Sequence, residues 1–154
     1  RWPQNFCIGE AQCALGSEQL NSVIENNEIL IEQDRRIREW LKDVPEITFP
    51  EVVEGGRYVV HQYVMHYDGS KTGKTRDDLL DILTAEYGVR AIVQYYPLYR
   101  YPLFKKKGMG EYDCPVLEGW WDNSFSFPWW CGIDDESMRI MCEGLIKSVE
   151  ALRA

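Results

Sequence analysis

Between Asn5 and Lys42 the apolar positions follow a helical rhythm: Ile8, Ala11 and Leu15, then Leu20, Ile24, Ile31, Ile37, Trp40 and Leu41. Most spacings are three, four or seven, which gathers these side chains largely on one face. A helix of about 30 residues would run about 45 Å, more than a domain of this length needs for its own core. About half of it is therefore expected to want a partner, or to bridge two domains. Gly16 interrupts the pattern at a cost of about 1 kcal/mol against alanine. A break into two helices is expected there, with Ser17 as a fresh N-cap, or else a close approach by another backbone. Val44-Pro45 ends the segment, because proline disfavours the helical region for the residue before it.

The rhythm then changes. Residues 46–57 read as a short strand or extended segment with a turn at Gly55-Gly56. The run from Arg57 to Tyr67, rich in β-branched and aromatic residues, predicts a strand of about ten residues. Neither of its faces is purely polar, so it should be central, with at least one face on a helix layer. Thr75 with Asp78 predicts a capping box that opens a helix from Arg76 to Tyr87, and Gly88 suits its C-terminal end. Val89 to Tyr95 predicts a second strand. Pro97 and Pro102 bracket a rigid loop, and Pro115 sits in the first turn of a short helix, Cys114 to Trp121. Ser124 to Phe127 predicts a third strand stopped by Pro128. A last helix follows from Ile133 to Leu152, capped by Asp134, with Met138, Met141, Leu145, Val149 and Leu152 as its buried stripe. The order predicts an α+β domain: a small antiparallel or mixed sheet of about three or four strands, covered by helices.

Composition narrows the function classes. The 154 residues suffice for one domain with a real core, and 45% hydrophobic with 27% charged residues means a globular chain. A net charge of -8 argues against nucleic acid; the one dense basic run, Lys105 to Lys107, is expected to be a solvated loop. No window approaches about 18 consecutive apolar residues, so no membrane span is expected. Five cysteines without a CxxC pair, beside two histidines, support reduced thiols in a cytoplasmic protein rather than a zinc site. His61 and His66 are five apart in a predicted strand and so face opposite ways. Six Trp, nine Tyr and five Phe concentrate between Tyr95 and Trp130, where they could line a pocket, pack on a partner or fill the core. No glycine-rich phosphate loop of standard spacing is present. The residues alone show no self-sufficient active site.

An ordered set of motifs goes further. It begins with Asn5-Phe6-Cys7-Ile8-Gly9-Glu10-Ala11-Gln12-Cys13-Ala14-Leu15-Gly16 and continues with His61 and its strand. Arg76-Asp77-Asp78-Leu79 through Gly88-Val89 follows, then Gln94-Tyr95-Tyr96-Pro97-Leu98-Tyr99 with Pro102 and Phe104. Cys114-Pro115-Val116, Phe125 to Pro128, and Gly132-Ile133-Asp134 with the final helix complete it. In this order and register the chain resembles the DegT/DnrJ/EryC1/StrS family of pyridoxal-phosphate-dependent sugar aminotransferases. The resemblance implies the C-terminal small domain of an aspartate-aminotransferase-like (fold type I) enzyme. Residues 1–16 would be a remnant of the large cofactor domain and dimer contact, 17–45 a linking helix, and 46–154 the small domain.

The family's cofactor lysine lies upstream of the Asn5 segment, so no catalytic residue is expected here. The full-length enzyme would carry pyridoxal phosphate, none would be bound to this piece alone, and the piece alone would not transaminate. The resemblance implies that Asn5 reaches across a homodimer to the cofactor phosphate, and that Tyr96, Tyr99 and Arg100 border the substrate. It also implies a missing N-terminal large domain as partner, glutamate or glutamine as amino donor, and a keto sugar, commonly nucleotide-linked, or a cyclitol as acceptor. Cys7 stands for the family's arginine, Gln94 and Tyr99 for its two loop histidines, and Ser137 for a glutamate. These departures point to a divergent acceptor or to a member with another reaction, such as sugar dehydration. An unrelated α+β interaction module whose long helix dimerises is the remaining reading.

Overall fold

The computed structural model of the chain describes residues 7–154. It opens with α1 (Glu10–Leu20) and α2 (Val23–Trp40). The break expected at Gly16 is not there. Helix α1 passes through Gly16, around which a Cβ would meet nothing within 4 Å, so no backbone approaches it either. Ser17 lies within the helix, and Gly9 takes the N-cap position. The interruption falls instead at Asn21-Ser22. A lone glycine costs too little to stop a helix, whereas short polar side chains offer the backbone other partners. Ser22 Oγ donates to Gln19 O (3.2 Å), and Asn26 Nδ2 donates to Ser22 Oγ (3.2 Å). The two helices differ in cover: α1 buries none of its residues, while α2 turns Gln33 and Ile37 inward.

Strands β1 (Ile47–Thr48), β2 (Tyr63–Tyr67) and β3 (Ser124–Phe127) form an antiparallel sheet in the order β1-β2-β3. The middle strand is central, as expected, but half as long, starting at Tyr63 and not Arg57. Its partners explain this. Tyr63 pairs with Phe127, and Pro128 follows; His66 pairs with Thr48, and Pro50 follows two residues on. Proline has no N–H to give a ladder, so both neighbours run out. The strand expected over Val89 to Tyr95 reduces to one antiparallel bridge. Ile92 exchanges both backbone bonds with Ser126 (2.9 and 2.8 Å). Beyond it, β3 is hemmed in by Pro128 on one side and a helix end on the other, leaving little edge to pair with.

The remaining helices are α3 (Arg76–Tyr87), α4 (Pro102–Lys106), α5 (Pro115–Asn123) and α6 (Asp135–Arg153). Local signals place their ends. Asp78 N donates to Thr75 Oγ1 (3.2 Å) while Thr75 N donates to Asp78 Oδ2 (2.7 Å), completing the capping box. Gly88 closes α3 at φ 68°, the left-handed region that suits glycine. Asp134 caps α6 by accepting from Ser137 N (2.7 Å). The basic run expected to be a loop instead ends α4: Pro102 starts that helix, and Lys105 and Lys106 fall in its last turn, where cations complement the dipole.

The α6 stripe Met138, Met141, Leu145, Val149 and Leu152 packs with Leu79 and Leu83 of α3 and Ile37 of α2 over one face of the sheet. Gly144 brings α3 close; a Cβ there would lie 3.0 Å from Tyr87 Cβ. At the sheet's edge Arg153 forks onto the buried carboxylate of Glu46, donating from Nε (2.8 Å) and Nη2 (2.5 Å). The result is a small α+β domain whose three-stranded sheet is covered by helices.

Candidate functional site

Alternation along the strands separates two surfaces. Tyr63, Met65, Tyr67, Phe125 and Phe127 enter the core, so Val64, His66, Ser124 and Ser126 look the other way. Helix α5 lies against that outer face. The His66 ring meets Trp120 edge-on, with centroids 4.5 Å apart. Ser124 and Ser126 are 0% and 2% exposed, and their small side chains leave a shallow floor. Neither hydroxyl, nor His66 Nε2, has a hydrogen-bond partner among the described residues. Burial pushes the His66 imidazole below its usual pKa.

Two arginines fasten this layer. Helix α5 runs directly into β3, which leaves carbonyls at the junction without helical partners. The Arg76 guanidinium, buried at the start of α3, supplies them: Nη1 donates to Trp121 O (2.5 Å) and Ser124 O (3.0 Å), 5.2 Å from the Trp121 ring. Arg100 lies 5.2 Å from the Trp121 ring and 5.9 Å from that of Tyr96. It forks onto Glu118, with Nε donating to Oε1 (3.1 Å) and Nη2 pairing with Oε2. The Tyr99 hydroxyl donates to the same carboxylate. Tyr96 packs edge-on against Tyr101 (5.1 Å) and Trp121 (5.4 Å). At the other end of the loop Gln62 Nε2 donates to Tyr95 Oη (2.8 Å).

Two hollows flank this aromatic edge. One, about 520 Å³, is polar and includes Asp68, Lys74, Arg76, Asp77, Trp121 and Asp122 in its wall. The other, about 440 Å³, is apolar, formed by Cys114, Pro115, Val116, Leu117 and Trp120.

Three of the residues expected at the site, Tyr96, Tyr99 and Arg100, thus come together on one loop beside α5. Asn5 lies outside the described residues. Glu118, Trp121 and Arg76 join them, and sequence reasoning missed all three. Glu118 stands 18 residues from Arg100 and Arg76 stands 45 from Trp121, so no local spacing signals either contact. The Tyr99 hydroxyl and the Arg100 guanidinium at this edge are both engaged by Glu118.

Lys42, Lys71, Lys74, Lys105, Lys106, Lys107 and Lys147 are all exposed. A Schiff-base lysine needs a desolvated pocket that lowers its pKa. The described residues therefore do not by themselves fit pyridoxal phosphate. Among them, no group of three or more His, Cys, Asp or Glu could hold a metal ion, and no helix is long and apolar enough to cross a membrane. All five cysteines are free; burial pushes the Cys142 thiol up to about 12.

The model of the DegT/DnrJ/EryC1/StrS aminotransferase family matches residues 3–146. The chain belongs to that family. It is 26% identical over 137 residues to the spore coat polysaccharide biosynthesis protein SpsC of Bacillus subtilis, covering 88% of this chain and 35% of that protein. Among solved structures it is similar to PseC of Helicobacter pylori, an aminotransferase involved in the biosynthesis of pseudoaminic acid. That match has a TM-score of 0.79 at 22% identity, over 96% of this chain and 39% of PseC. It is also similar to DesI, solved in the presence of its TDP-sugar product, with a TM-score of 0.79 at 23% identity over 95% of this chain and 36% of DesI. At such identities the structures show the fold alone: a small α+β domain with a three-stranded sheet covered by helices, consistent with the small domain of fold-type-I aminotransferases. The chain spans little more than a third of the length of these relatives.

Proposed function

We propose that this chain is the C-terminal part of a pyridoxal-phosphate-dependent aminotransferase that moves an amino group from glutamate or glutamine to a keto sugar, nucleotide-linked, or to a cyclitol. The observation that carries this reading is the family match over residues 3–146, joined to an aromatic edge built on the outer face of the sheet. In it, residues 1–16 belong with a large cofactor domain and the dimer contact, 17–45 link, and 46–154 form the small domain. The cofactor lysine comes from the large domain, and Asn5 reaches the cofactor phosphate in a homodimer. An amide N–H suits a phosphate oxygen without adding charge. Tyr96, Tyr99 and Arg100 border the acceptor, and a sugar ring suits the exposed aromatic surface there. The large domain and the second subunit would cover Leu15, Leu20 and Ile24, exposed by 60%, 68% and 74%. The setting is cytoplasmic.

The test is an absorbance scan of the intact enzyme, expected to show a visible band that borohydride abolishes, while this chain alone shows none. An intact enzyme without that band would sink the reading. Gln94 and Tyr99, where the family's pattern has histidines, favour a second reading in which the same fold serves sugar dehydration. A histidine in place of the upstream lysine, with no reducible band, would decide for it.

A further inference from the structure

Among the described residues, Glu118 is the one carboxylate that meets the loop residues Tyr99 and Arg100 together. It receives the Arg100 fork from Nε (3.1 Å) and Nη2, and the Tyr99 hydroxyl as well. Its own helix, α5, carries Trp121, and the Arg100 guanidinium lies beside the Tyr96–Trp121 pair, 5.9 and 5.2 Å from the two ring centroids. Each long side chain would lose a stable orientation without the others: an arginine with no acid is free to turn to solvent, and the two rings it adjoins lose a cation that holds them to the loop. The fork is only partly exposed, with arginine and glutamate side chains 29% and 28% accessible, so water and salt screen it less than a surface pair. A planar guanidinium on a carboxylate also fixes direction as well as distance.

We propose that Glu118 is a positioning residue: it clips the 97–101 loop to α5 and so sets the shape of the aromatic platform of Tyr96, Tyr101 and Trp121 against which an uncharged sugar ring of the acceptor packs. Because the carboxylate occupies Arg100, the platform is read through its ring faces and not through that cation. The acceptor part of this inference rests on the function proposed above; the clip does not.

The experiment uses the intact enzyme in two arms. In the first, hydrogen exchange read by mass spectrometry follows the loop amides of Arg100 and Tyr101, which donate to Pro97 O (3.0 Å) and Leu98 O (3.1 Å). Glu118→Gln is expected to speed their exchange at least tenfold. The swapped pair, Arg100→Glu with Glu118→Arg, is expected to bring it back to within about threefold of wild type. In the second arm, with a TDP-linked keto sugar as the probe acceptor, Glu118→Gln raises KM about tenfold and changes kcat less than twofold, and the swapped pair recovers most of the KM. Unchanged exchange in Glu118→Gln overturns the clip whether or not the enzyme turns over. Faster exchange with an unchanged KM, or with the loss carried by kcat, overturns the acceptor role. An intact enzyme without a reducible cofactor band brings down the aminotransferase reading separately, and the exchange arm still decides the clip.

Discussion

The two faces of the same three strands are built by different rules. On the inner face Tyr63, Met65, Tyr67, Phe125 and Phe127 are each 2% exposed or less, and they interlock with the stripes of α3 and α6. On the outer face β2 and β3 contribute Val64, His66 and two serines, and the bulk comes from Trp120, Trp121 and Tyr96 beside them. A long helix with its own apolar stripe can mesh with large side chains. A nine-residue helix bearing adjacent indoles needs a low floor instead. The inner face therefore holds the domain together, while the outer face leaves ring surface open. The packed core and the exposed ring surface lie on opposite sides of one sheet.

The contrast can be broken most forcefully from the inside. Phe125→Ala should cost about 3–5 kcal/mol in chemical denaturation, the range for a large aromatic removed from a close-packed core. A loss below about 1 kcal/mol would mean that the inner face does not carry the fold. Arg76 ties the outer layer to α3, and replacing it strands two carbonyls. Arg76→Met should cost about 2 kcal/mol and should loosen α5 in hydrogen exchange more than α6.

Acid sharpens the comparison further. The His66 imidazole is held below its usual pKa by burial, so its folded value lies under its unfolded value near 6.5. Its contribution is complete above about pH 6.5 and is lost as pH falls through the folded value. Glu46 has the same sign in a lower window: the Arg153 guanidinium lowers its pKa, and its contribution fades as pH falls from the usual carboxylate range through the folded value. Denaturation between pH 7.5 and 5 should show a decline that His66→Gln removes, leaving the steeper loss in stronger acid. A His66→Gln variant with the wild-type slope would disprove the assignment. The smallest effect belongs to Ser126, whose buried hydroxyl has no partner among the described residues. Ser126→Ala should change stability by less than about 0.5 kcal/mol, and a loss above about 1 kcal/mol would reveal an occupied hydrogen bond there.

Much of the inner face was legible in the chain itself. The α6 stripe, the Thr75–Asp78 box, Gly88 and Asp134 all lie where residue type and spacing put them, because each depends on atoms within about one helical turn. The helix break was misplaced, since the glycine at 16 weighs less than the paired polar side chains around Asn21-Ser22. Of the candidate site, the loop Tyr96 to Arg100 was legible through the family motif, and its carboxylate partner was not. Nothing in the spacing of Tyr99 and Glu118 distinguishes that acid from Glu111, which the same chain could have brought near.

By itself, then, the sequence determined the family, the helices with their caps, the central place of β2 and the inward stripe, all consequences of short-range chemistry and periodicity. Only the tertiary structure decided where β2 begins, how little of 89–95 pairs, and which acid receives Arg100. Strand length is set by the partner that runs out first, at Pro50 and Pro128, and an ion pair is set by which helix the fold lays beside the loop. Those are properties of neighbours far apart in the chain.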